Sequence, residues 1–216
     1  MSRKKTGQTS GRNLRIAVLI SGDGTGLQNL IDRIADGRLR HTEVAVVISS
    51  RTDAQGVQRA RAAGVPVDFH RAKDFQKVDQ FSDQLTQTLD AHAVDLAVQA
   101  GWLCYWKLPG RWLGKTINIH PALLPKFGGQ GYYGLRVHKA VLAAGEIETG
   151  ATTHWVDNQY DHGRIILQSR CEVRPDDTPD TLAARVHALE HELLPRTITL
   201  IREGKAPRPS SPAAEG

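Results

Sequence analysis

Asn118 and His120 stand two residues apart in "TINIHPALLP" (116–125), an otherwise apolar run. In a strand, residues two apart share a face, so a carboxamide and an imidazole would project side by side. Such a pair among apolar neighbours costs free energy unless partners or a ligand satisfy it. A histidine on a strand is commonly just a satisfied core residue, but three features argue for more. The segment reads as the end of a parallel strand, where α/β sheets bind ligands. Pro121 follows at once and holds His120 at the strand mouth. A second polar cluster, His154 with Asp157 and Asp161, lies on a later β-rich arm that can fold over the same crevice. An amide donor, an imidazole and a carboxylate suit acyl transfer to an amine. The amide donates to an oxygen that becomes negative, and an imidazole kept cationic by the carboxylate does the same. The carboxylate then receives the amine's proton, directly or through water. No Ser or Cys nucleophile is required.

A second candidate site is "SGDGTG" (21–26), placed between a strand and a helix. Glycines there present backbone N–H groups to a phosphate, although any tight βα turn favours glycine. The spacing is G-x-G-x-G, not the dinucleotide fingerprint, which needs a third glycine further on and an acid closing the second strand. That strand ends with Ser50 and Arg51, which would suit the 2′-phosphate of NADP, yet no hydride-transfer constellation follows.

The elements that must position these residues follow from the apolar pattern. "LRIAVLI" (14–20) and "EVAVVIS" (43–49) read as strands buried on both faces. Between them Leu27, Leu30, Ile31 and Ile34 form a helical stripe that stops at Gly37. A helix over 56–64, a strand over 65–70, a helix over about 75–91 and strands over 94–100 and 115–120 complete a βαβ alternation, which predicts a parallel sheet with helices on both faces. "PALLPKFGGQGYYG" (121–134) is a long loop of the functional kind, and "LRVHKAVLAAG" (135–145) is helical. Strands over 149–156 and 164–173 suit an antiparallel extension. A final helix starts at Thr178 as cap, buries Leu182, Val186, Leu189 and Leu193, and is expected to kink at Pro195.

The bulk composition excludes several function classes. With 216 residues, 40% hydrophobic and 24% charged, the chain is expected to form one soluble domain. Four of its five net positive charges lie in the first 13 residues; without Arg3, Lys4, Lys5 and Arg12 the body holds 24 basic residues against 23 acidic. That predicts a disordered basic arm over 1–13 and no nucleic-acid surface. The Pro/Ser/Ala-rich tail (204–216) is likewise expected to be disordered, leaving a folded domain over 14–203. Cys104 and Cys171 are too few for a disulfide framework, and no run resembles a secretory signal or a membrane span, so a cytoplasmic location is expected.

"LISGDGTGLQNLID", "VISSRTDAQGVQRARAAGVPV", "INIHPALLP" and "GATTHWVDNQYDHGRIILQ" resemble, in order and spacing, the phosphoribosylglycinamide formyltransferases, over about residues 14–203. The "NIHPALLP" run with a later D-x-G is specific to folate-dependent formyltransferases and hydrolases. The resemblance implies a single Rossmann-like α/β domain that moves a formyl group from 10-formyltetrahydrofolate, a co-substrate, to the amine of glycinamide ribonucleotide. It implies small-molecule partners, no metal, no membrane, and a monomer or homodimer. By the same resemblance, Asn118 polarises the formyl oxygen, His120 is the acid, Asp161 tunes it and relays the proton, and His154 supports the arm. Gly24, Thr25 and Gly26 would cradle the ribose phosphate with Glu190 and His187. Leu103, Cys104, Tyr105 and Trp106 would line one side of the pteridine, and Asp157, Asn158, Gln159 and Tyr160 the other.

The chain departs from the family pattern at Thr25-Gly26 (usually Ser-Asn), at Val78 (often Arg, with Lys77 a substitute) and at Arg164 (usually Pro). Its 127–138 loop is also about four residues longer than the shortest versions. Two relatives sharing the Asn–His–Asp core are disfavoured. Methionyl-tRNA formyltransferase carries a nucleic-acid-binding domain that nothing after residue 203 would supply, and formyltetrahydrofolate deformylase carries an N-terminal regulatory domain. Transfer to another amine, hydrolysis, and a binding module without turnover remain as alternatives. "HALEH" (187–191) matches an inverted zinc-protease pattern, but no third ligand is identifiable.

Overall fold

A computed structural model describes residues 11–209. Five parallel strands come first: β1 (Leu14–Ile20), β2 (Thr42–Ser49), β3 (Val67–Phe69), β4 (Leu96–Gln99) and β5 (Thr116–His120). β6 (Glu148–Trp155) and β7 (Ile165–Glu172) extend the sheet antiparallel, giving the order β3-β2-β1-β4-β5-β6-β7. The helices are α1 (Thr25–Ala35), α2 (Gln55–Ala62), α3 (Val78–Ala91), α4 (Leu135–Ala143) and α5 (Pro179–Arg202). The expected α/β architecture with an antiparallel C-terminal extension is what the chain forms.

Strand β1 shows why the sheet is buried on both faces. Ile16, Val18 and Ile20 enter one core with Leu27 and Leu30 of α1 and Val186, Leu193 and Ile198 of α5. Ala17 and Leu19 enter the opposite core with Phe81, Leu85 and Leu89 of α3 and with Trp102, Trp106 and Trp112. The period of two thus delivers alternate residues to two layers. Strand order reverses between β1 and β4, so the crevice beyond their carboxyl ends is the sheet's switch point.

Two expectations need correction. Arg12 is tied to the body, 2.5 Å from Asp95, so the arm expected over 1–13 is anchored by its last residues; residues 1–10 lie outside the described ones. The tail is packed as far as Pro209: Trp155 Nε1 donates to the Pro207 carbonyl at 2.7 Å and Arg164 to the Arg208 carbonyl at 3.0 Å. Arg164, a departure from the family pattern, therefore holds the tail; residues 210–216 lie outside the described ones. α5 runs through Pro195 as one helical element. Its start is as predicted, with Thr178 and Thr181 bonded reciprocally in a capping box and Pro179 at the first position.

Candidate active site

A cavity of about 900 Å³ opens at the switch point, between the loops that follow β1, β4 and β5 on one side and α4 and α5 on the other. Asn118 and His120 reach one end of it from β5, and Asp161 reaches the same end from the β6–β7 connection. The antiparallel register sets Asn118 opposite His154. Asn118 Nδ2 donates to His154 Nε2 and to Asp161 Oδ1, each at 3.2 Å. His154 Nδ1 donates to the carbonyl of Trp155 at 2.8 Å, a contact that selects the tautomer whose Nε2 can accept. His120 Nε2 donates to the Phe127 carbonyl at 2.7 Å, and its Nδ1 lies 3.5 Å from Asp161 Oδ2. Asp161 Oδ2 also accepts the backbone N–H of Gly129 at 2.9 Å. Asn118, His120, His154 and Asp161 thus form one bonded cluster.

The electrostatics correct one expectation. Burial pushes the His120 pKa below the ordinary histidine value, and the opposing charge of Asp161 does not restore it. The imidazole is therefore neutral in the free site at neutral pH, not held cationic. Burial works against ionisation of Asp161 too. There the neighbouring His154 ring, His120 and the Gly129 N–H together prevail, and its pKa falls below the usual carboxylate value.

At the other end the cavity meets the glycine loop and α5. Gly24, Thr25 and Gly26 line it with His187 and Glu190. Gly24 adopts φ +67, and a Cβ there would sit 2.6 Å from the Cα of Gly56, so glycine is demanded sterically. At Gly26 a Cβ would meet only ordinary contact with Ala100, so the departure there is not a packing requirement. Burial raises the Glu190 carboxyl to about 7, with His187 Nε2 3.7 Å away. Among the described residues lining the cavity none is Lys or Arg, and no group of three metal-ligating side chains gathers. Ser50 and Arg51 are engaged elsewhere: Ser50 with Ser21 at 2.7 Å and Arg51 with Asp53 at 2.8 Å.

Of the residues expected to flank the pteridine, two line the cavity, Leu103 and Tyr160. Trp106 does not: it is 2% exposed and turns into the core, donating to Thr86 Oγ1 at 3.3 Å. Cys104 is half-buried and outside the wall, its thiol pushed up by burial. Tyr105 packs on Tyr160 at 5.5 Å between centroids and donates to the Asn158 carbonyl, serving the wall from behind. Asn158 bonds both backbone groups of Leu108. Asp157 is paired with His162 and accepts the Gln159 N–H, so it stands apart from the bonded cluster. Lys77 and Val78, at the start of α3, also lie outside the wall.

The structure adds groups that the sequence did not signal. The Phe127 carbonyl and the Gly129 N–H are backbone groups, which no side-chain pattern reveals. His138 of α4 lines the cavity, 1% exposed, its Nδ1 without a partner and its pKa lowered to about 4, first by burial and then by His187 and His120. Its only trace in the sequence is a polar residue on an apolar helical face between Val137 and Val141.

The formyl transferase family model matches residues 14–198. The chain belongs to the formyl transferase family. Its relatives include the phosphoribosylglycinamide formyltransferase of Haemophilus influenzae, 37% identical over 193 residues, covering 88% of each chain. The trifunctional purine biosynthetic protein adenosine-3 of Drosophila melanogaster is 42% identical over 200 residues, 91% of this chain, which spans only 14% of that protein's length. The crystal structure of glycinamide ribonucleotide transformylase 1 from Symbiobacterium toebii superposes with a TM-score of 0.82 at 39% identity, covering 90% of each chain. The formyl transferase match thus includes both ends of the cavity and every residue of the bonded cluster.

Proposed function

We propose that this formyl transferase moves the formyl group of 10-formyltetrahydrofolate to the amine of glycinamide ribonucleotide, a step of purine synthesis. The observation that carries the reading is the joining of two ends in one cavity. Asn118, His120 and Asp161 meet at one, and the glycine loop faces a protonatable Glu190 at the other. A ribose phosphate at the glycine loop would place its amine towards the triad, with reduced folate against Leu103 and Tyr160.

The amine nitrogen attacks the formyl carbon, and the carbonyl oxygen becomes an oxyanion. Asn118 and His120 donate to it. In the free site both side chains spend their hydrogens on protein acceptors, so the formyl oxygen must replace the Phe127 carbonyl at His120 Nε2. The growing negative charge then favours the imidazolium that burial disfavours in the empty site, the added proton reaching Nδ1 from solvent, with Asp161 beside it as counter-charge. Asp161 takes the proton lost by the amine, directly or through water. The bond from the formyl carbon to N10 of the folate breaks, and N10 leaves with a proton. His154 orients Asn118 and the carboxylate.

The test is release of deformylated folate with and without glycinamide ribonucleotide. Release only with the nucleotide is expected. Equal release without it would make the protein a hydrolase, and no release in either assay would leave a binding module or another amine as acceptor.

A further inference from the structure

Pro195 is buried inside α5. A proline has no N–H for the carbonyl four residues earlier, and its ring crowds that carbonyl. Here the carbonyl belongs to His191, on the turn that carries Glu190 into the cavity. It is not left unpaired: Asn29 Nδ2 donates to it at 2.8 Å. Asn29 lies on α1, one turn beyond Thr25, whose helix opens at the glycine loop. Arg33, one turn further, donates to Asn29 Oδ1 at 3.0 Å and pairs with Glu192 of α5. The orientation of the carboxamide follows from these partners, since a guanidinium only donates and a carbonyl only accepts. The two helices otherwise meet through apolar side chains such as Leu27, Leu30, Leu193 and Leu194, and such contact is not directional. The amide bond is.

We propose that Asn29 is a positioning residue for the nucleotide half of the site. It stands in for the N–H that Pro195 lacks, and so sets the spacing between the glycine loop on α1 and Glu190 on α5. This rests on reading that end of the cavity as the place of the ribose phosphate.

Steady-state kinetics of the full chain, varying each substrate in turn, test it alongside thermal melting. Asn29→Ala should raise KM for glycinamide ribonucleotide by about three- to tenfold, the worth of one ordinary hydrogen bond, with kcat and the folate KM within about twofold. Pro195→Ala supplies the missing N–H from within α5. Added to Asn29→Ala, it should recover the melting temperature but not the KM, because the helix is repaired while the tie to α1 stays cut. Recovery of both would show that Asn29 only caps a carbonyl and would overturn the proposal. So would an unchanged nucleotide KM in Asn29→Ala, or equal losses in both KM values and kcat. Arg33→Met, which removes the brace on Asn29, should give the same split in smaller measure even if the proline variant does not fold. A wild-type protein that ignores glycinamide ribonucleotide would sink the functional reading itself, a result distinct from wild-type activity with an indifferent Asn29.

Discussion

The two ends of the cavity are built on different principles. At the formyl end, neighbouring strands deliver Asn118, His120 and His154, and the polar atoms of the cluster are bonded to one another or to adjacent backbone. At the nucleotide end the parts sit on two helices, the loop is shaped by the contact of Gly24 with Gly56, and a carboxyl is kept protonatable by burial. Sheet register holds the first end to the geometry of a hydrogen-bond ladder. The second depends on how α1 and α5 pack. Under the proposed function, chemistry that fails when a donor moves by an ångström is on the sheet, whereas recognition is shared between a backbone turn and a helix face.

Substitutions can break this contrast, and the largest effect should fall on the sheet. Asn118→Ala is expected to lower turnover by about two to three orders of magnitude, as for other oxyanion donors, with the melting curve little changed; His120→Ala should be at least as damaging. Near-normal turnover in either would remove the assigned role. Asp161→Asn should cost about one to two orders of magnitude in kcat. The charge of Asp161 raises the His120 pKa against burial, so its loss should move the histidine limb of the pH–rate profile to lower pH. An unchanged rate and profile would end the relay assignment.

Effects at the nucleotide end should be smaller and should appear first in KM and stability. Gly24→Ala forces a side chain into φ +67 and against Gly56. It should destabilise the fold by about 2–4 kcal/mol, from left-handed strain and overpacking together, and raise the nucleotide KM by about tenfold. A melting curve like that of the wild type would show that the loop relaxes freely. Glu190→Gln should have the smallest effect on activity, with KM within about threefold. Its signature is in stability. Folding raises the Glu190 pKa from 4.5 to about 7, so the native state binds the proton more tightly than the unfolded chain. Stability from this group is present at low pH and is lost as pH rises from about 4.5 through about 7. The amide carries no such loss, so Glu190→Gln should be the more stable protein at pH 8, by about 1–3 kcal/mol, and indistinguishable at pH 4. Parallel pH–stability curves for the two proteins would show that Glu190 is ionised in the fold.

The bonded cluster proposed to be catalytic was legible in the sequence because part of its geometry is periodic. Asn118 and His120 share a face by the rule of two, and the D-x-G between the two antiparallel strands marks where Asp161 returns. Trp106 was misread because a run of four consecutive residues does not say which side chain a loop turns inward; a large indole with a buried Thr86 hydroxyl as partner gains more in the core than on a cavity wall. Asp157 was misplaced for a similar reason, since a loop carboxylate bonds its own neighbours at short range. The charge on His120 was misjudged because desolvation depends on burial, which no spacing encodes.

What the sequence determined by itself is local and repetitive: the buried strands, the glycine turn after β1, the cap at Thr178, and the shared face of Asn118 and His120. Each follows from steric or hydrogen-bond rules that act within a few residues. Only the tertiary structure decided that the Phe127 carbonyl takes His120, that Glu190 stays protonatable, that Arg164 and Trp155 hold the tail, and that Asn29 answers the carbonyl freed by Pro195. Those contacts join atoms far apart in the chain or belong to the backbone, and their energies depend on burial that exists only once the layers have packed.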